Sequence, residues 1–484
     1  MFTLPLPVKQ LYFGRVDAST EINEDKEKFL KNFYDANNVV GEITSNPIKF
    51  LILGKKGTGK TSVSKFIELS ISEKYTAKYI NFEEFDYIQF SEFKSDNRDE
   101  YEQYSTPWKW ILYSYLSEIL LSEDNQQIDL RTIFQKLFGR KGVSLSKLLN
   151  KRFNEGIEIP FDFVEEILGY KNEVYLLQDI VEILDVLISE YKLQSSKQYF
   201  LIIDGLDEKI KKEKYYTDAI LSFLWSISRL NQDFINKKLP IKIIASLRND
   251  VFDLIGGSNV YKKYYDNAVE IKWTNTSSDK FSYPLAGLIS TRIKTSLLEK
   301  GFQEIEGDLV KRLLTTHVYG KEWKTRTWNF ILDMTTYKPR DVISFLQECH
   351  EICNEDVKQI PQSVVWQALN NYSKYLVKEF KSELHGHITK EQADEIFDVI
   401  FPSLGKTFNY NDFYLKIGKS KHCLELTGGD ILRLFYELGI VGFYVNDSHI
   451  EWYHREKSIV KKEFSSQSSK YQINQGLYKA LSFW

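Results

Sequence analysis

Residues Phe50 to Ile67 read FLILGKKGTGKTSVSKFI. The apolar run Phe50-Leu51-Ile52-Leu53 has the length and chemistry of a buried strand. Behind it, Gly54-Lys55-Lys56-Gly57-Thr58-Gly59-Lys60-Thr61 fits the spacing GxxxxGK[ST] of a phosphate-binding loop, and Ser62 leads on into a helix. The glycines let the backbone curl so that successive N–H groups point at a triphosphate. Lys60 can reach its β- and γ-phosphates, and the Thr61 hydroxyl can ligate Mg²⁺. The N-terminal dipole of the following helix favours the same anion. Strand, loop and helix in this order predict a site for ATP and Mg²⁺.

Outward from the loop, Tyr79-Ile80-Asn81-Phe82 is a second strand one helix downstream, as a parallel βαβ unit requires. Tyr199 to Glu208 reads YFLIIDGLDE, a buried strand that ends in an acid. Delivered beside the phosphate loop, Asp204 can hold the water shell of the metal. A hydrolase also needs a carboxylate to orient the attacking water. Many ATPases place a Glu directly after the metal acid, but here Gly205 stands there, so Asp207 is the first candidate and Glu208 the second. A further strand, Ile241 to Ser246, is followed by Arg248 at its C-terminal end, the edge of an α/β sheet where ligands bind. Arg340, in Lys338-Pro339-Arg340-Asp341, opens a helix. The planar guanidinium fork of either arginine suits a γ-phosphate.

With 484 residues the chain has room for two or three domains, and 43% hydrophobic content with 15% aromatics supplies real cores. The formal net charge of −3 gives no global pull toward nucleic acid or anionic membrane. No apolar run reaches about 18 residues, so no membrane-spanning helix is expected. Three cysteines, Cys349, Cys353 and Cys423, make no disulfide framework, and with no secretory signal a cytoplasmic setting is the expectation. Cys349 and Cys353 flank His350 at i, i+4, but no second pair completes a zinc site, which leaves them as helix packing.

Taken together, the patterns predict an α/β P-loop core over residues 1–275, a parallel sheet with helices on both faces and a helical insertion at about 95–172. Strand signals then stop, and helical patterns suggest a lid over 276–370. A winged-helix-like α+β domain follows over 371–484, its hairpin flanking Asn446-Asp447-Ser448.

Phe13-Gly14-Arg15, GKKGTGKT, LIIDGLDE, SLRND and KPRD, in this order, resemble the AAA+/STAND group of P-loop ATPases, which includes NACHT-type and origin-recognition-complex-like members. The ends, LYFGR at Leu11 to Arg15 and GLYKAL at Gly476 to Leu481, look like those of a largely uncharacterised family of bacterial P-loop ATPases. The resemblance implies that Gly14 and Arg15 lie near the adenine. It makes Lys60 and Thr61 bind phosphates and Mg²⁺, and Asp204 the metal acid. Arg248 falls in the sensor-1 region and Arg340 becomes sensor 2 on the lid. It further implies an ATP-hydrolysing switch that acts on a protein partner or a homo-oligomer, in bacterial signalling or defence against phage. The alternative is a DNA-associated ATPase that loads or remodels through the last domain. Over Ile388 to Arg455, however, seven Lys/Arg stand against ten Asp/Glu, and the helix preceding the hairpin, Gly429 to Leu438, carries only Arg433 as a cation. That balance favours a protein partner over duplex DNA.

Overall fold

The strand before the phosphate loop, β1 (Leu51–Leu53), lies inside a five-stranded sheet with β2 (Tyr75–Asn81), β3 (Gln198–Asp204), β4 (Ile241–Leu247) and β5 (Ala268–Glu270). The structure, a computed structural model, describes the chain apart from residues 1–2, 71–73, 96–98, 100, 124–127, 140–141, 151–157, 159–161, 173, 192–196, 207–213, 304–306, 321, 447–448 and 455–469. The described chain divides into two compact units. One comprises Asn38–Lys56 and Lys60–Ile271, the other Met1–Asn37, Gly57–Gly59 and Lys272–Trp484.

In the first of these units the sheet order is β2-β3-β4-β1-β5, and every neighbouring pair is parallel. The strands at its centre are near-continuous apolar runs because helices cover both faces: β4 is buried at all seven positions and β3 at all but the first. Chain order fixes where the site lies. From β1 the chain crosses leftward over β4 and β3 to reach β2, whereas from β4 it crosses rightward over β1 to reach β5. Right-handed crossovers would put the two following helices on opposite faces, so the strand order reverses between β1 and β4, the position at whose carboxyl edge open α/β sheets bind ligands. The phosphate loop leaves β1 at that point.

Helix Ser105–Glu123 falls inside the segment read from the sequence as an insertion, yet it packs into the sheet unit's own core. Trp108 is fully buried, stacks on Phe85 at 5.3 Å and donates its indole N–H to the Ala219 carbonyl at 2.8 Å. Near the start of the central strand β4, Lys242 is buried and donates to the carbonyls of Ile43 (2.9 Å) and Asn46 (2.7 Å), closing the C-terminus of helix Val39–Ser45. Burial lowers its ammonium from 10.5 to about 8. Between those values the unfolded chain binds the extra proton and the folded one does not, so this residue adds stability as pH rises through 8. The urea midpoint of wild type relative to Lys242→Met should rise from pH 7.5 to 9.5. Parallel curves would refute the shifted ammonium.

In the other unit, helices Pro284–Glu299, Thr327–Met334, Pro339–Ile352 and Gln362–Leu384 form the main helical body. The N-terminal segment is bound to it: Val8 N–H donates to Val357 O at 2.7 Å, and Tyr12 N–H to Ser296 Oγ at 2.9 Å. A short antiparallel hairpin, β6 (His317–Tyr319) with β7 (Lys324–Arg326), interrupts the helices where the sequence suggested none. Its strands are three residues each and show no alternation to detect. Beyond them, β8 (Thr407–Asn409), β9 (Val441–Asn446), β10 (His449–Glu451) and β11 (Lys470–Ile473) form an antiparallel sheet in the order β10-β9-β11-β8. Helices Tyr410–Ile417 and Gly428–Leu438 lie between β8 and β9, so the longer helix directly precedes the β9–β10 pair.

Candidate nucleotide site

Gly57 and Gly59 adopt φ of +79° and +92°, the left-handed region that turns the loop back on itself and that side chains resist. Lys60, nearly buried, folds over this turn and donates to the carbonyls of Gly54 (3.2 Å) and Lys55 (3.4 Å). The loop's first N–H, of Gly54, donates to Leu247 O at the end of β4. Lys55, Lys56 and Ser62 are half-buried around the turn, and Thr58 is buried. The Thr58 carbonyl accepts the Trp273 indole N–H at 2.8 Å.

The decisive contact joins the two sequence motifs. Thr61 Oγ1 donates to Asp204 Oδ2 at 2.8 Å, across 143 residues of chain. Asp204 is buried at the end of β3, and three further donors fix its carboxylate: Tyr79 Oη at 3.2 Å, the Gly205 N–H at 2.9 Å, and Ser246 Oγ. Burial and the facing Asp204 charge push the Tyr79 phenol well above its ordinary range, so it stays a donor. The pair fits Mg²⁺, which takes few protein ligands and keeps most of its waters: Thr61 would ligate directly and Asp204 would accept from the water shell. Bound there, the ion would neutralise charge developing on the phosphates.

Arg248, buried just past β4, forms a two-pronged pair with Asp250, Nη2–Oδ2 at 2.5 Å and Nε–Oδ1 at 3.0 Å. Burial by itself raises the Asp250 carboxyl. Arg248 and, beyond it, Lys60 outweigh that and hold it below its usual range. Asp250 is thus electrostatically tied to the phosphate lysine. Sequence reasoning passed over it, although it stands two residues after the arginine it did single out.

Arg340, the second residue of helix Pro339–Ile352, lies against the loop's Gly57. A methyl group added to Gly57 would meet Arg340 Cβ and Cδ at 3.4 Å. Its Nη1 contacts Glu379 Oε2 at 3.3 Å, and its Nε is buried without a hydrogen-bond partner among the described residues. Gly14 and Arg15 have other neighbours. The Gly14 carbonyl accepts from Gln347 Nε2 at 2.5 Å, and the Arg292 guanidinium occupies the space a Gly14 side chain would need. Arg15, half exposed, pairs with Glu24 at 2.7 Å. Asp207 and Glu208 lie outside the described residues. The structure therefore draws together Lys60, Thr61 and Asp204, with Arg248 held by Asp250 beside them, and sets Arg340 against Gly57.

Part of the chain matches a known helical module. Residues 284–381 fit the model of the FunZ-associated C-terminal helical domain. Among solved structures, the chain is similar to the Aeropyrum pernix ORC1 protein in complex with DNA, at 12% identity and a TM-score of 0.37, over 95% of this chain and 92% of that one. It is also similar to Cdc6p from Pyrobaculum aerophilum, at 13% identity and a TM-score of 0.33, over the same shares of the two chains. No curated protein matches the sequence. Among the described residues no helix is long and apolar enough to cross a membrane.

Proposed function

We propose that this chain is an ATP-binding and ATP-hydrolysing switch of the AAA+/STAND type. The Thr61–Asp204 hydrogen bond carries the reading, because it brings a phosphate-loop hydroxyl and a strand-end carboxylate to the spacing one Mg²⁺ ion uses. Lys60 binds the β- and γ-phosphates, Arg340 senses the γ-phosphate from its place against Gly57, and Arg248 does so from the end of β4. Resemblance of the motifs to STAND ATPases supports a signalling role in the bacterial cytoplasm, in defence against phage, exercised on a protein partner or through assembly of copies of the chain.

The C-terminal sheet and helices, taken as a winged-helix domain, would dock that partner. Its helix before the hairpin has Arg433 paired to Glu437 at 3.2 Å, which leaves that helix poorly suited to phosphate backbones. At the start of the same helix, a groove runs between Tyr414, Leu415 and Leu424, all well exposed, and the backbone of Gly428 and Gly429. Apolar exposure of this kind fits a protein partner better than DNA.

Substituting Asp204 by alanine tests the reading. Turnover of Mg·ATP should fall at least ~100-fold, since the metal's water shell loses its carboxylate acceptor, while ATP binding measured in EDTA stays within about twofold (~0.4 kcal/mol) of wild type. Equal turnover in both proteins would remove Asp204 from the metal site.

A further inference from the structure

Gly205 stands where a hydrolase of this kind needs its water-orienting carboxylate, and the structure shows why no side chain fits there. Its φ is +80°. A Cβ at this position would lie 2.2 Å from Asn81 Oδ1 and 2.9 Å from the Glu83 backbone N. The space in which a residue-205 side chain would begin is filled from the neighbouring strand, by the end of β2.

That strand end brings its own carboxylate. Asn81 is in register with Asp204, and the Phe82 N–H donates to Asp204 O at 2.8 Å, so the turn 82–84 is anchored on the metal acid's own backbone. Two hydrogen bonds then hold Glu83 to Asn81: Glu83 N–H to Asn81 Oδ1 at 2.9 Å, and Asn81 Nδ2 to Glu83 Oε2 at 3.3 Å. Glu83 is exposed to solvent, two residues past the end of a strand whose Tyr79 hydroxyl sits 3.2 Å from Asp204 Oδ2.

We propose that Glu83, positioned by Asn81, orients and deprotonates the water that attacks the γ-phosphate. The assignment rests on the ATPase reading above. In the step, the water oxygen forms a bond to the γ-phosphorus and the bond from that phosphorus to the bridging oxygen breaks. ADP leaves with the bond's electron pair, and the water's proton passes to the Glu83 carboxylate and then to solvent. Glu83 thereby supplies from β2 what the position after Asp204 cannot hold.

The test compares phosphate release and fluorescent-ATP binding for wild type, Glu83→Gln, Glu84→Gln and Asp207→Asn. Glu83→Gln keeps the backbone N–H bonded to Asn81, so its melting temperature and nucleotide affinity should match wild type. Its turnover should fall a hundredfold or more, the range general-base catalysis covers being about 10²–10⁴. Glu84→Gln, the adjacent exposed carboxylate, should retain turnover within about twofold. Turnover kept by Glu83→Gln but lost by Asp207→Asn would overturn the assignment and leave the ATPase reading intact. Wild type that neither binds nor hydrolyses ATP would overturn both.

Discussion

Replacing Lys60 by alanine should weaken Mg·ATP binding at least ~100-fold, an effect of about 3 kcal/mol, and abolish measurable turnover. Lys60 is nearly buried over the loop, and it is directed at its own carbonyls, Gly54 and Lys55, inside the curve made by Gly57 and Gly59. A triphosphate entering that curve offers the ammonium anionic oxygens in place of two neutral carbonyl acceptors. Removing the lysine takes this buried ammonium away from the phosphates, while the backbone N–H groups and the helix dipole remain. The fold should tolerate the change, since the hydrogen bonds to the Gly54 and Lys55 carbonyls contribute roughly 1 kcal/mol each. Titration of both proteins with ATP at fixed Mg²⁺ gives the ratio, and affinities within threefold of one another would show that the loop is not the phosphate site.

Gly205→Ala should damage both the fold and the turnover. At φ +80° an alanine sits in the left-handed region, at a cost of about 1–2 kcal/mol. Its Cβ also falls 2.2 Å from Asn81 Oδ1 and 2.9 Å from Glu83 N, so the end of β2 must move, adding roughly 1–3 kcal/mol as in other overpacked sites. Together these predict a loss of about 2–5 kcal/mol in urea unfolding. Turnover should fall as well, because the displaced residues are the ones that hold Glu83 and because the Gly205 N–H bonds Asp204 Oδ1. A variant with unchanged unfolding midpoint and unchanged turnover would mean that β2 and β3 do not meet in this way.

The site was legible in the sequence wherever its chemistry is local. FLILGKKGTGKT carries strand, loop and helix start within a dozen residues, and LIIDGLDE carries an apolar strand with its acid. What was not legible depends on register between distant strands. Nothing in the order of residues says that Tyr79 and Ser246 would share Asp204, or that Asn81 would pair with it, because those contacts arise only once β2, β3 and β4 align. Gly205 is a clear case. The sequence shows an unexpected glycine after the metal acid, and only the packing of Asn81 against it explains why glycine is required. Gly14 is another, since the residue that excludes a side chain there is Arg292, far along the chain. The β6–β7 hairpin escaped for a different reason, since it is too short to show a period. Helix Ser105–Glu123 was expected as part of a helical insertion, but it is buried on nearly every side and so has no distinct face to mark it as part of the sheet unit's core.

The most direct test of the central claim is steady-state phosphate release from ATP by the full chain, with and without Mg²⁺. If Thr61 and Asp204 hold one metal ion against a triphosphate gripped by Lys60, release should be saturable in ATP, absent in EDTA and absent in Lys60→Ala. Release that proceeds equally in EDTA, or that survives Lys60→Ala at the wild-type rate, would contradict it.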